Sequence, residues 1–187
     1  MSEENSLMDL FEDMDFPALI NECHRIYLRK RDISVVEVLS ILEQTVDLEL
    51  ITALIEALMI RLDDVDEALM IHFKQSSEVV RNHIVMVLAN GKRSKHMQFL
   101  LDIYFYNPYM RPAIRQHAFG DKKFLFMNLA RYFEDSPFNE DTVNIAQQIL
   151  KTISRDVILS CKGIFNGTKI LDLYYALPVD EREKFDD

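Results

Sequence analysis

The sequence has no tryptophan and only four glycines and five prolines among its 187 residues. So few glycines and prolines leave little material for the many tight turns of a β-rich fold. Leucine, isoleucine, methionine, glutamate and glutamine are abundant instead, and these residues favour helices. The sequence therefore predicts an all-α protein, and its 49% of apolar residues are enough to bury a core of ordinary size.

Cysteines and long apolar runs are also scarce. The two cysteines, Cys23 and Cys161, lie far apart and form no CxxC pair, which fits a reduced compartment and indicates no metal site. No uninterrupted apolar run approaches the roughly 20 residues that a membrane span requires, and the N-terminus is acidic. We expect a cytoplasmic protein that is neither secreted nor membrane-spanning.

Sequence patterns of catalytic and cofactor sites are missing too. The stretch "GIFNGTK" (163–169) has glycines and a lysine, but not in the order or spacing of a phosphate-binding loop. The five histidines show no HExxH motif and no paired ligand spacing. We therefore expect no catalytic residues, no metal ligands and no cofactor, so the chain is predicted not to be an enzyme.

Apolar residues recur at helical spacing along nearly the whole chain. They predict about nine to ten helices, stacked as antiparallel pairs without a sheet. Asp32 is predicted to cap one helix, and Gly91 to close another in a conformation with positive φ. We divide the chain into an acidic and apolar tail at 1–16, a main helical domain at 17–134 and a C-terminal helical part at 135–187.

One set of apolar residues repeats every 30 positions. It begins with Leu54, Ile84 and Ile114, and Leu58, Leu88 and Ala118 follow in the same register. A period of this length is typical of stacked helical hairpins of the HEAT type.

Charge is distributed unevenly. The formal net charge is −10, yet residues 81–123 carry eight bases and two acids, which leaves −16 for the rest of the chain. Tyr104, Tyr106, Tyr109 and Phe119 are interleaved with these bases. Such a patch suits a phosphate backbone or an acidic partner. The predicted DNA-binding or anion-binding residues are Arg81, Lys92, Arg93, Lys95, Arg111, Arg115, Lys122 and Lys123.

The stretch "NSLMDLFEDMDF" (5–16) places six large apolar residues among four acids and no base. Two interpretations are open. The stretch is either a short anchor for the pocket of another protein or the first helix, folded onto the core of this one. The predicted partner-binding residues are Ser6, Leu7, Asp9, Leu10 and Phe11.

Three further stretches carry a resemblance to a known family. "SEVVRNHIVMVLANGKRSKHMQFL" (77–100), with its Gly-Lys-Arg motif, is similar to a segment of the small, non-ATPase subunit of the sliding-clamp loader of T-even-type phages. "IEALMIRLDDVDEALMI" (55–71) and "NLARYFEDSPFNEDTVNIAQQIL" (128–150) resemble the segments before and after it. The resemblance covers roughly residues 54–150, although the family usually has a tryptophan shortly after Gly-Lys-Arg and this chain has none.

The resemblance implies a function. The chain would be a non-catalytic accessory subunit in DNA replication that joins the ATPase subunits of a phage clamp loader and binds the sliding clamp. Phage clamp-binding proteins share short Ser-Leu-x-Asp-x-Phe tails, which residues 6–11 match. The basic middle would approach primer-template DNA, and the protein would act in the host cytoplasm as part of a hetero-oligomer.

Two other functions remain open from the residues alone. One is a HEAT-like α-solenoid that acts as a protein-binding adaptor or inhibitor. The other is a stand-alone helical domain that binds nucleic acid through residues 81–123.

Overall fold

In a computed structural model, the chain is described over residues 6–135 and 139–179, and these two ranges contain no strand. The predicted all-α fold without a sheet is confirmed. One turn of 3₁₀ helix, Pro108–Met110, precedes α8. The twelve α-helices of the described ranges are α1 (Leu7–Glu12), α2 (Phe16–Tyr27), α3 (Val35–Gln44), α4 (Leu48–Ile60), α5 (Leu62–Phe73), α6 (Glu78–Asn90), α7 (Ser94–Tyr106), α8 (Arg111–Ala118), α9 (Lys122–Asp135), α10 (Glu140–Leu150), α11 (Arg155–Phe165) and α12 (Lys169–Ala176).

The number of helices slightly exceeds the nine to ten predicted, for two local reasons. The first is α1, which forms inside the stretch that the sequence assigned to a tail. The second is a break at residues 151–154, which separates α10 from α11. There the Thr152 hydroxyl donates a hydrogen bond to the carbonyl of Ile149 and ends the helix, and Ser154 starts the next.

By their contacts, the helices form two compact units, Met1–Gly91 and Lys92–Asp187. In the first unit, α4 packs between α2 and α6, while α3 and α5 pack against each other and against α6. In the second, α9 packs against α7, α11 and α12. The boundary between the units falls inside the segment 17–134 that the sequence assigned to one domain.

The predicted sequence repeat has a structural counterpart. Side chains at three equivalent positions, Asp47, Ser77 and Asn107, accept hydrogen bonds from backbone N–H groups at the starts of α4, α6 and the 3₁₀ turn. The six apolar residues of the predicted repeat are all buried. The repeat therefore sets both where a helix begins and which face it buries.

Two predicted helix ends are placed differently. Ser34, and not Asp32, caps α3, because its hydroxyl accepts from the N–H of Glu37; the Asp32 carboxylate lies 3.8 Å from a nitrogen of Arg61. Gly91 keeps a helical φ of −67°, and the following residue, Lys92, takes the left-handed conformation with a φ of 46°. The turn after α6 thus uses a lysine where the sequence indicated a glycine.

Helix α6 also carries a half-buried titratable side chain, His83. Burial lowers the pKa of His83 below its ordinary value of 6.5, because a charged imidazole loses hydration there. Below about pH 6.5 the unfolded chain takes up a proton at this position that the folded chain resists. Acidification therefore favours the unfolded state through His83.

We expect the free energy of unfolding to fall less between about pH 7.5 and about pH 5.5 in His83→Gln than in the wild type. Urea unfolding followed by circular dichroism at both pH values measures this difference. Asn82→Gln, a change at a half-buried neighbour on α6 that removes no titratable group, serves as the control and should keep the wild-type pH dependence. An equal fall in the wild type and in His83→Gln would contradict the assignment.

Candidate interaction surfaces

The predicted partner-binding stretch begins with a closed pair of hydrogen bonds. The Ser6 hydroxyl accepts from the backbone N–H of Asp9 at 3.0 Å, and the Asp9 carboxylate accepts from the backbone N–H of Ser6 at 3.0 Å. This reciprocal arrangement is a capping box, and it satisfies two N–H groups at the start of α1. Ser6 and Asp9 thus have a local structural role.

The apolar residues of α1 face the first unit. Leu7 is only 1% exposed, and Leu10 and Phe11 are half-buried. Helix α1 packs against α2 and α3, and the rings of Phe11 and Phe16 stack with centroids 6.1 Å apart. This is the geometry of a first helix folded onto the core, so Leu7 could reach a partner only if α1 left its place.

Arg81, the first of the predicted DNA-binding residues, is directed at the end of the preceding helix. Its guanidinium donates to the carbonyl oxygens of Phe73 at 3.0 Å and Lys74 at 2.9 Å. It also lies over the ring of Phe73, 5.6 Å from its centroid. Because the last carbonyls of a helix have no partner within that helix, Arg81 completes the C-terminal end of α5 and fixes α6 to it.

Arg111 repeats this arrangement one period later along the chain, in the second unit. It donates to the carbonyl oxygens of Tyr104 at 2.9 Å and Phe105 at 3.2 Å, and it lies 5.7 Å from the centroid of the Tyr104 ring. Two of the eight predicted DNA-binding residues therefore hold helices together. The spacing between Arg81 and Arg111 equals the 30-residue period of the repeat. This spacing indicates a structural role for both arginines, which a count of charges does not reveal.

Arg115 and Lys122 lie near each other in the second unit, at the end of α8 and the start of α9. Arg115 is exposed, lies 5.7 Å from the Tyr104 ring centroid, and donates from Nε to the Tyr104 hydroxyl. Lys122 is half-buried and donates to the Thr152 hydroxyl at 3.4 Å. Burial lowers the pKa of Lys122, and the positive charge of Arg115 lowers it further.

The other predicted bases lie at two turns. Lys92 is exposed and Arg93 is half-buried at the turn before α7, and Lys95 is exposed in the first turn of α7. Arg93 and Lys95 also interact with other residues of the protein. Lys123 is exposed in the first turn of α9. The structure thus brings Arg111 and Arg115 together over the ring of Tyr104, with Lys122 near Arg115, while Arg81 belongs to the other unit.

The four interleaved aromatic residues divide into two classes. Tyr104 and Phe119 are core residues, with ring centroids 4.9 Å apart. Tyr106 and Tyr109 are on the surface, 56% and 87% exposed. Periodicity could not separate the three tyrosines, because they lie near the junction of α7, the 3₁₀ turn and α8, while Phe119 follows α8.

A groove of about 600 Å³ on the first unit was not predicted. It is lined mainly by α2 and α4, including Cys23, Tyr27, Glu56 and Ile60. Tyr27 and Ile60 are 44% and 42% exposed, whereas Cys23 is buried, which raises its pKa to about 11. The available signal was the surplus of apolar residues around α4, more than one buried face needs.

The two units differ strongly in charge. Residues 1–91 contain 18 acids and seven bases, a net charge of −11, whereas residues 92–187 contain 13 acids and 14 bases, a net charge of +1. The groove reflects this difference, because its lining includes the acid Glu56 and neither lysine nor arginine. The first unit should therefore attract basic partners, and the second should repel polyanions far less.

Neither a metal site nor a membrane span is found in the described ranges, 6–135 and 139–179. No cluster of three or more histidine, cysteine, aspartate or glutamate side chains is placed there to hold a metal ion. Within the same ranges, every helix is too short or too polar to cross a bilayer.

Comparison of the chain with protein-family models, with curated proteins and with solved structures gives no significant match.

The contacts of Arg81 predict a stability effect. We expect Arg81→Gln to lower the free energy of unfolding by about 1.5–3 kcal/mol, because two carbonyl groups lose a charged donor. Lys74→Gln is the matched control, since it removes an equal charge from an exposed neighbour, and it should change stability by less than about 0.5 kcal/mol. Urea unfolding of the two variants decides, and equal stability would mean that Arg81 does not hold α5 and α6 together.

The burial of Leu7 predicts a second effect. Leu7→Ala should lower the free energy of unfolding by about 2–5 kcal/mol, the cost of truncating a buried leucine. Met14→Ala, at a side chain that is 73% exposed, should change it by less than about 0.5 kcal/mol. A Leu7→Ala protein with wild-type stability would favour the interpretation of this stretch as an anchor for another protein.

Proposed function

We propose that this chain is a non-catalytic, helical-repeat subunit that works by binding partner proteins. The observation that carries the proposal is the helical repeat, with its capped helix starts and its arginine-bound helix ends. In such arrays each hairpin buries its apolar face against its neighbours, and the outer helix faces stay free for binding. Such a subunit would be a HEAT-like adaptor or inhibitor, one of the functions that the sequence left open.

The partner of the first unit would be a basic protein segment with apolar side chains. The net charge of −11 favours a basic partner. The groove between α2 and α4 offers Tyr27 and Ile60 as exposed apolar contacts, with Glu56 beside them. A partner of this kind would bury apolar side chains in the groove and place its bases on the acidic surface.

The resemblance to the phage clamp-loader subunit gives this proposal specific partners. They would be the ATPase subunits of the loader and the sliding clamp, with ATP hydrolysis belonging to the ATPase subunits. The first unit would contribute the groove, together with the outer edges of Leu10 and Phe11 on α1. The contribution of this chain would be to hold the other subunits in place, so its loss should prevent clamp loading.

The test uses the purified full-length protein with the clamp and the ATPase subunits from the same source. We expect the proteins to co-elute in size-exclusion chromatography and the assembly to hydrolyse ATP faster when clamp is present. Ile60→Glu should weaken co-elution at least about tenfold in apparent affinity, because it places a charge in the groove. Val46→Glu introduces the same charge at a side chain that is 92% exposed outside the groove lining, and it should keep wild-type binding.

The possible outcomes separate the two levels of the proposal. Failure of the wild-type protein to co-elute with either the clamp or the ATPase subunits would reject the clamp-loader assignment. Co-elution that Ile60→Glu leaves intact would keep that assignment and reject the groove as its binding site. Thermal unfolding of both variants must match the wild type, so that a loss of binding is not a loss of folding.

A further inference from the structure

The arginine arrangement occurs twice, once in each unit. A comparison of the two copies shows which residues the packing of the helices needs. Arg81 and Arg111 are 30 residues apart, and each binds two consecutive carbonyls at the end of the preceding helix, with the acceptors of Arg111 displaced by one residue from the strict period. Four residues further on, the first copy has Val85, which is fully buried, whereas the second has Arg115, which is exposed. Since the first copy holds its helices without a second arginine, Arg115 is not required by the architecture.

The extra cation belongs to a cluster without acidic partners. Arg111, Arg115 and Lys122 all lie around the end of α7 or the start of α9, and none of them makes a salt bridge with a carboxylate of the described residues. Asp121, the nearest acid in sequence, caps α9 by accepting the N–H of Phe124. A group of cations that no carboxylate of the described residues neutralises is suited to an anion from outside.

Two exposed aromatic rings lie at the turn from α7 into α8, beside the helix end that Arg111 binds. Tyr106 ends α7, and Tyr109 lies in the 3₁₀ turn that leads into α8, two residues before Arg111. The equivalent positions of the preceding copy are Ser76 and Val79, so the repeat does not require tyrosine at either place. Tyr109 is 87% exposed, so nearly its whole ring lies in solvent. An aromatic ring stabilises the fold mainly when it is buried, so this ring contributes little to folding.

We propose that this corner of the second unit, formed by Tyr106, Tyr109, Arg115 and Lys122, binds single-stranded nucleic acid. The cations would contact successive phosphates, and the two exposed rings would stack against bases. An acidic peptide would use the cations but would leave both rings in water, so the tyrosines favour a polynucleotide. The site goes beyond the proposed protein-binding function and does not depend on it, because it lies wholly in the second unit.

The test is fluorescence anisotropy of the full-length protein with a short labelled oligothymidylate across a series of salt concentrations. Arg115→Gln with Lys122→Gln should weaken binding about tenfold or more and reduce the slope of log affinity against log salt by about 1.4, or about 0.7 for each lost phosphate contact. Tyr109→Ala should weaken binding about tenfold without changing that slope, since stacking carries no charge. Tyr109→Phe keeps the ring and should bind like the wild type.

A matched control separates this site from general charge. Arg155→Gln with Lys162→Gln removes the same charge from exposed positions of α11, and it should keep at least about half of the wild-type affinity. The proposal is overturned if the wild type does not bind the oligonucleotide, if this control weakens binding as much as the corner variant, or if Tyr109→Ala binds like the wild type. It is equally overturned if polyglutamate displaces the oligonucleotide at matched charge concentration, which would mark the corner as a site for acidic proteins.

Discussion

The hydrogen bonds from Arg81 and Arg111 to helix-end carbonyls are the interaction on which the arrangement of the helices depends. Each helix ends with carbonyl groups that no residue of that helix can satisfy, and here a guanidinium from the start of the next helix of the stack satisfies two of them at once. A planar donor that meets two acceptors also fixes distance and direction. The two arginines are 30 residues apart, so two successive copies of the repeat are held in this way, whereas the copy that begins at Asp47 has Ile51 at the equivalent position.

Much of the fold could be predicted from local patterns. The all-α class, the period and the burial of Leu54, Ile84 and Ile114 follow from residue spacing alone. The packing of α1 could not be predicted, because the apolar pattern of residues 5–16 does not distinguish the core of this protein from the pocket of another one as its partner. The residue with positive φ after α6 was also missed, since Lys92 adopts it at a cost that only the surrounding structure can offset.

The candidate surfaces were harder to predict than the fold. A count of bases cannot distinguish Arg81, which is directed at carbonyls, from Arg115, which faces solvent, because this difference arises only when helices pack. For the same reason Tyr104 and Tyr109 have equal weight in the sequence and opposite environments in the protein. The groove on α2 and α4 was absent from the prediction, since it is defined by apolar residues that packing leaves uncovered.

Separate residues for architecture and for surface chemistry give this fold room to change. Arg81 and Arg111 each hold two consecutive helices together. The residue four positions further along differs between the copies, Val85 in one and Arg115 in the other, so both residues are compatible with the same hairpin. The ring next to the arginine is that of Phe73 in the first copy and that of Tyr104 in the second. The Tyr104 hydroxyl accepts a hydrogen bond from the additional arginine, Arg115, which the first copy lacks. After a duplication of such a unit, one copy can change what its exposed residues recognise while the arginine contacts keep the helices in place.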